Sequence, residues 1–312
     1  MPGLRPKTSS PSTTGRPEPR QASRRPLRLL RGSYQIGARL IRLLPARPRY
    51  AAMGLGGLLW YLASPKQARN AHQNYAAVLG RSPHDPESGR LARRAFQNYG
   101  KMLADFLLIG ALSPKQLLDR VEMEGLGHLD AALAGGRGCL IAMPHLGAWD
   151  MGGAAGGALG YRLVAVAEPF PGSLNDAIVE TREKFGVKVI MTGRSAVRQI
   201  LDALRQNSVV CLVCDLPSGQ GIPVEFFGQR AMVAAGPASF AIKTGAPILP
   251  ACIYRAGRDR YKVRIEAEVS FDARTNVATL TQSVVNRLEA LIRTAPDQWY
   301  AFKPMFTPLP GH

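Results

Sequence analysis

The stretch GCLIAMPHLGAWDMGG, residues 138–153, contains the pattern that decides the fold. It begins with an apolar run, Gly138 to Met143, of the kind found in strands that are buried on both faces. The run ends at Pro144-His145, and a helix is predicted to start shortly after it. A buried strand that leads at once into a helix indicates an α/β domain with a mostly parallel sheet.

The same alternation continues towards the carboxyl terminus. Further strands are predicted at 162–167, 187–191, 208–214 and 247–254. Helices are predicted at 173–185, 195–206, 237–244 and 276–294. Apolar residues alternate from Tyr261 to Val269, which favours an edge strand. Residues 66–119 are predicted to be helical, so the expected fold is a mostly parallel central sheet flanked by helices.

The charge is concentrated at the amino terminus. The chain has 312 residues and a formal net charge of +18, and residues 1–50 contain twelve Lys and Arg against the single acid Glu18. Such a segment favours an anionic membrane or a nucleic acid as partner. Residues 1–33 contain no aromatic side chain, so base stacking is not expected and the membrane is the favoured partner.

Residues 1–26 are rich in Pro, Ser, Thr and Arg and lack apolar periodicity, which predicts a disordered basic tail without a signal peptide. From Leu29 to Leu44 apolar residues share one helical face, opposite several arginines. Pro45 and Pro48 are predicted to end this helix, and Ala51 to Ala63 are uncharged. Thirteen helical residues span roughly 20 Å, too short for a bilayer. Residues 27–65 are therefore predicted to form interfacial membrane-association helices, with a core helix carrying solvated arginines as the alternative. Residues 66–308 are predicted to form the main domain.

Four cysteines lie in apolar runs and indicate a reduced interior. Cys211 and Cys214 form a CxxC, but the pair lies within a predicted strand, whereas a redox site places it at a helix start. No second pair has the spacing of zinc ligands, so no metal is expected.

His145 is the candidate base. Of the five histidines, it alone lies at a predicted strand end and helix start with an acid nearby. In sheets of this kind ligands bind beyond the carboxyl ends of the strands. A neutral imidazole there can take a proton from an attacking hydroxyl. Asp150 could orient the ring if Gly147 forms a turn, because on an ideal helix the two side chains would point about 140° apart.

The segment PHLGAWDMGG resembles the HxxxxD signature of glycerolipid acyltransferases, and specifically the bacterial lipid A lauroyl/myristoyl acyltransferase family, which includes the phosphatidylinositol mannoside acyltransferases. Further matches follow in order over roughly residues 30–305. They are Val166–Glu168, Thr181–Gly186, Val209–Asp215, Pro223–Gly228, Ala234–Ala238, Lys243–Pro247 and Pro296–Tyr300.

The resemblance implies roles for individual residues. His145 is the base and Asp150 belongs to its signature, while Asp215 is a second acid that could pair with the imidazole. Either aspartate could be the partner of His145. Substrate-binding positions implied by the same resemblance are Glu168 and Arg182 in the acceptor pocket and Phe226 and Phe227 at the acyl groove.

The implied reaction is acyl transfer from acyl-CoA or acyl-carrier protein, as co-substrate, to a hydroxyl of a glycolipid that is phosphatidylinositol mannoside-like or lipid A-like. No cofactor is expected, since the chain lacks a Walker loop and a GxGxxG fingerprint. The expected location is the cytoplasmic face of the plasma membrane. The alternatives are a lysophospholipid acyltransferase of glycerolipid synthesis and an inactive glycolipid-binding scaffold.

Overall fold

Continuous apolar runs form the centre of the sheet in the computed structural model, which describes residues 36–169 and 173–306. Residues 36–43 are helical and are called α1 here. The other helices are α2 Ala46–Ala63, α3 Pro65–Leu79, α4 Pro86–Ile109, α5 Pro114–Leu118, α6 Leu126–Ala134, α7 Trp149–Ala158, α8 Ser173–Glu183, α9 Ala196–Arg205, α10 Gly236–Thr244 and α11 Val277–Thr294, with a 3-10 turn at Pro296–Gln298. The strands are β1 Val121–Glu124, β2 Cys139–Met143, β3 Leu163–Ala167, β4 Val187–Met191, β5 Val209–Val213, β6 Pro217–Phe226, β7 Gln229–Val233, β8 Ile248–Gly257 and β9 Arg260–Ile265.

Seven strands form one sheet in the order β1-β9-β8-β2-β5-β3-β4. All neighbours in it are parallel except β8 and β9, which pair as an antiparallel hairpin. The strands β6 and β7 form a separate two-stranded hairpin. The mostly parallel sheet predicted from the sequence is therefore confirmed.

Helices cover both faces of this sheet. On one face α3, α9, α10 and α11 pack on side chains such as Leu140, Val210 and Ile248. On the other face α5, α6 and α7 pack on Ile141 and the alternate residues of the neighbouring strands. Burial of both faces explains why β2, β3 and β5 lack polar residues, since a polar side chain there would lose its contacts with water.

Three details differ from the sequence prediction. The strand at Arg260–Ile265 is not at the edge, because the short strand Val121–Glu124 pairs with its outer side. That edge strand, VEME, is half charged and gave no apolar signal. The hairpin formed by β6 and β7 was also not predicted, since Gly and Pro are depleted in ordinary strands and β6 contains four of them.

The amino-terminal helix α2 packs against α4 and the β8–β9 hairpin. The α2 helix begins at Ala46, earlier than predicted, because a proline in the first turn of a helix, here Pro48, costs no hydrogen bond. It crosses α4 at close range, where a Cβ on Gly57 would lie 2.1 Å from the Phe96 carbonyl oxygen. Arg49 holds the start of α2 through a 3.0 Å ion pair with Asp259.

Within residues 36–169 and 173–306, every helix is too short or too polar to cross a bilayer. The tail predicted over residues 1–26 lies outside the described residues, as does the first part of the predicted amphipathic helix.

Candidate active site

Three neighbouring strands bring predicted site residues to one edge of the sheet. β2 pairs with β5, and β5 pairs with β3. His145, Asp215 and Glu168 follow the carboxyl ends of these strands within two residues. Parallel strands place such ends side by side, which is where open α/β sheets bind their ligands.

The loop after β2 fixes the backbone of His145. Gly147 has a φ of +61°, and a Cβ at this position would lie 2.1 Å from the Ile253 carbonyl oxygen, so only glycine fits. The Gly147 N–H donates to the Gln298 carbonyl at 2.9 Å, and the Tyr300 N–H donates to the His145 carbonyl at 2.8 Å. The segment after α11 thus holds the His145 loop from the side.

The His145 ring is bonded to Asp215. Its Nδ1 lies 2.6 Å from Asp215 Oδ1, and the His145 backbone N–H also donates to this carboxylate at 3.0 Å. The second oxygen, Oδ2, accepts the indole N–H of Trp299 at 2.6 Å. The Asp215 side chain is completely buried, whereas the imidazole is 28% exposed. Only the imidazole end of this array therefore meets solvent.

Asp150 has a different partner. It lies in the first turn of α7 and accepts a 2.7 Å hydrogen bond from Arg182 Nε on α8. Both side chains are largely buried. Of the two aspartates that the sequence left open as the partner of His145, Asp215 is the one that contacts the ring, and Asp150 joins α7 to α8.

Three other predicted site residues are Glu168, Phe226 and Phe227. Glu168 is exposed at the end of β3. Phe226 and Phe227 are buried and stack on each other, with ring centroids 4.7 Å apart, and both rings pack against Trp299. Their assignment to the acyl groove stays a prediction, since these contacts place them in the core beneath the Asp215 site.

The contact between Trp299 and Asp215 was not predicted from the sequence. Trp299 lies 84 residues from Asp215, so no local spacing joins the two. Pro296–Tyr300 drew attention only through the family resemblance. An apolar tryptophan in such a segment gives no sign that its N–H has a carboxylate acceptor.

Other reactive groups are less suited to chemistry. All four cysteines are free thiols. The side chains of Cys211 and Cys214 lie on opposite faces of the sheet. Burial raises the pKa of the Cys214 thiol well above its usual range. In the part of the chain that the structure describes, no group of three His, Cys, Asp or Glu side chains is placed to hold a metal ion.

The Asp215 contact determines which ring nitrogen of His145 carries the proton in the neutral form. A carboxylate can only accept, so Asp215 makes Nδ1 the protonated nitrogen of the neutral ring. The lone pair then lies on Nε2, which has no hydrogen-bond partner among the described residues. A hydroxyl that approaches the exposed side of the ring would meet this lone pair.

Comparison with known proteins identifies the family of this chain. Residues 20–307 match the family model described as bacterial lipid A biosynthesis acyltransferase. The chain is 30% identical over 278 residues to the phosphatidylinositol mannoside acyltransferase of Mycolicibacterium smegmatis, covering 88% of this chain and 90% of that protein. It is 31% identical over 286 residues to the enzyme of the same name from Mycobacterium tuberculosis, covering 88% and 87%.

A lipid A biosynthesis acyltransferase of Haemophilus influenzae is 24% identical over 268 residues, covering 83% of this chain and 82% of that protein. The family-model match extends across both the amino-terminal helices and the sheet, and it includes the His145 and Trp299 segments. The chain therefore belongs to the bacterial lipid A biosynthesis acyltransferase family, and it is an acyltransferase.

Proposed function

We propose that this protein transfers a fatty acyl group from a thioester donor, acyl-CoA or acyl-carrier protein, to a hydroxyl of a phosphatidylinositol mannoside-like glycolipid. The observation that carries the chemistry is the pairing of the partly exposed His145 with the buried Asp215 at the sheet edge. The acceptor class rests on the higher identity to the mycobacterial mannoside enzymes than to the lipid A enzyme.

The reaction needs no covalent enzyme intermediate. His145 Nε2 removes the proton of the acceptor hydroxyl, and the oxygen attacks the thioester carbonyl carbon. Asp215 stabilises the imidazolium that forms. The tetrahedral intermediate then expels the thiolate, which takes the proton from His145, so that a free thiol and an ester result. The first backbone N–H groups of α7 lie close in sequence to His145 and are candidates to bind the oxyanion.

The acceptor must bring a polar headgroup to the His145 edge of the sheet. Glu168 is exposed there and can accept hydrogen bonds from sugar hydroxyls. The Arg182 guanidinium has Nε bonded to Asp150, which leaves its terminal nitrogens for a phosphate. We assign both to the acceptor pocket, in agreement with the positions that the family resemblance implied.

A membrane surface is proposed on α1 and α2. Every exposed residue of α2 after Arg47 is apolar or small: Pro48, Ala51, Ala52, Leu55, Gly56, Leu59, Leu62 and Ala63. Leu55, Leu59 and Leu62 are 54%, 57% and 66% exposed and lie on one helical face. A helix face that meets water is ordinarily polar. The reversed pattern favours insertion of this face into the lipid interface.

Residues 36–43 extend this surface. Ile36, Leu40 and Leu43 are exposed at the spacing of one helical face, and Arg39 and Arg42 are exposed as well. Each arginine near anionic lipid contributes about 1 kcal/mol. Because acyl-CoA and acyl-carrier protein are cytoplasmic, this surface is assigned to the cytoplasmic face of the plasma membrane.

The acceptor is tested by mass spectrometry of acyl transfer from palmitoyl-CoA. Phosphatidylinositol mannosides, lysophosphatidate and a lipid A precursor are offered separately, with heat-denatured protein as the blank. We expect an ester product with the mannosides alone. A product with lysophosphatidate alone would replace the proposed acceptor with that of glycerolipid synthesis.

The membrane surface is tested with vesicles of phosphatidylcholine and phosphatidylglycerol. Replacing Leu55, Leu59 and Leu62 together by Ser removes apolar groups worth about 1.5 kcal/mol or more each when buried, so the vesicle partition coefficient should fall at least tenfold. The matched control replaces three exposed apolar residues elsewhere, Leu159, Val197 and Ile242, by Ser. Equal binding by the two triple variants would contradict the assignment.

A further inference from the structure

We propose that Trp299 is a positioning residue for acyl transfer: its indole N–H holds the Asp215 carboxylate in the orientation that keeps the His145 lone pair on Nε2. The kinetic part of this inference rests on the proposed function. The structural part, a coupled array of indole, carboxylate and imidazole, does not.

The two oxygens of Asp215 have separate partners. Oδ1 contacts His145 Nδ1 at 2.6 Å and Oδ2 contacts Trp299 Nε1 at 2.6 Å. The His145 backbone N–H lies 3.0 and 3.1 Å from these two oxygens. Trp299 and Asp215 are both completely buried, so water does not compete for Oδ2. An indole nitrogen can only donate, which fixes the direction of this bond.

The backbone keeps the indole in register with the His145 loop. Trp299 forms an antiparallel bridge with Leu146, the residue after the base. Its neighbours Gln298 and Tyr300 make the two backbone hydrogen bonds to Gly147 and His145 described above. The segment that carries Trp299 is therefore joined directly to the loop that carries His145.

The surrounding packing holds the ring still. Phe226 and Phe227 contact it at centroid distances of 6.0 and 5.7 Å, and Tyr75 meets it edge-on at 5.9 Å. The Tyr75 hydroxyl also donates to the Trp299 carbonyl. The rings of Trp299, Phe226, Phe227 and Tyr75 thus pack together beneath the Asp215 carboxylate.

Loss of the indole N–H has a defined electrostatic result. Oδ2 would be left buried without this donor, and the charged form of the carboxylate would lose a charge-assisted hydrogen bond. The Asp215 carboxylate would become more basic and would stabilise the protonated His145 ring more strongly. The ring would then stay protonated up to higher pH, so at a given pH fewer molecules would carry the neutral imidazole that acts as the base. The groups that face Asp215 are His145, Trp299 and the neighbouring Cys214, whose thiol stays neutral because burial raises its pKa.

The kinetic test compares Trp299→Phe with Trp60→Phe. Trp60 packs in another aromatic cluster, against Phe96, Tyr99 and Phe302, so its replacement is the same chemical change away from the carboxylate. For Trp299→Phe we expect kcat to fall about tenfold with KM unchanged, and the acid limb of the kcat/KM profile to move to higher pH. Trp60→Phe should change neither. A folded Trp299→Phe protein with the kcat and pH profile of the wild type would overturn the proposal.

A second measurement needs neither turnover nor a variant that folds. In the ligand-free wild type, the NMR resonance of the Trp299 indole N–H should shift with pH, with the same midpoint as the His145 ring. The chain has only three tryptophans and five histidines, so these signals can be assigned. An indole resonance that stays constant while His145 titrates would refute the coupling. Coupling without acyl transfer would instead count against the proposed function alone.

Discussion

Two buried aspartates, Asp215 and Asp105, show how one residue type serves different purposes in this molecule. Asp215 is bonded to an imidazole that is 28% exposed. Asp105, on α4, is 1% exposed and is enclosed by partners that cannot give up a proton near neutral pH: it accepts from Tyr50 at 2.8 Å, from Tyr261 at 2.6 Å, and from Arg255. Only the first aspartate connects a titratable group to solvent.

The Asp105 cluster is structural in character. It joins α2, α4, β8 and β9 through side chains, and the Arg255 guanidinium lies over the Tyr50 ring at 4.3 Å. Burial raises the pKa of Asp105 to about 6 and that of Tyr50 to about 12. A perturbed titration alone therefore does not mark a catalytic group; access to substrate separates the two aspartates.

Removing the Asp105 carboxylate should have the largest effect on folding. Asp105→Ala leaves Arg255 and two phenols without their acceptor, and we expect it to lower the free energy of unfolding by about 3 to 5 kcal/mol in urea titrations. Asp119→Ala, in an exposed ion pair with Lys115, should cost less than about 1 kcal/mol. Equal costs would mean that the cluster does not anchor α2.

Removing the charge of Asp215 should affect activity instead. Asp215→Asn replaces one carboxylate oxygen by an NH2 group, which donates and does not accept. Where this group faces His145 Nδ1, the ring takes the tautomer with its proton on Nε2 and has no lone pair there. We expect kcat to fall about 10³-fold while KM stays near the wild-type value. A fall of less than tenfold would show that the imidazole keeps its tautomer without Asp215.

The ionisation of Asp105 should also make the stability of the folded chain depend on pH. The pKa of Asp105 is raised from 3.8 to about 6, so between these values the folded chain binds more protons than the unfolded chain. Stability from this group is thus fully present below about pH 4 and is lost as the pH rises through about 6. Relative to Asp105→Asn, the wild type should lose up to about 3 kcal/mol over this window.

The Asp150–Arg182 pair should show the smallest effect. Since the pair joins α7 to α8 and makes no contact with the imidazole, Asp150→Asn should lower kcat/KM about tenfold, and Arg182→Gln by at least as much because it also removes the proposed phosphate contact. The double variant should be no worse than Arg182→Gln alone, because that single change already removes the ion pair. Additive losses would show that Asp150 also acts on His145 directly.

The sequence predicted the parts of the fold that depend on local pattern. Cys139–Met143 and Val187–Met191 were found because strands buried on both faces are continuously apolar. Val121–Glu124 was missed because an edge strand needs no such pattern, and its pairing with Arg260–Ile265 depends on a partner about 140 residues away. Strand order is set by packing of the whole chain, and local composition does not encode it.

Some site residues could likewise be predicted from local sequence, and others could not. His145 was predicted because a strand end is visible in the sequence, and Asp215 because its segment resembles a family motif. The choice between Asp150 and Asp215 required the loop geometry at Gly147, whose positive φ turns the chain. The contact of Trp299 with Asp215 depends on a backbone bridge to Leu146, which no pattern in either segment records.

The proposed acyl transfer depends most on His145 acting as the base. The most direct test is single-turnover acyl transfer from palmitoyl-CoA to phosphatidylinositol mannoside by His145→Ala, beside His128→Ala, which removes an exposed histidine on α6. We predict that His145→Ala keeps the melting temperature of the wild type and loses at least about 10³-fold in rate, while His128→Ala keeps the full rate. A folded His145→Ala protein that transfers the acyl group within tenfold of the wild-type rate would contradict the account.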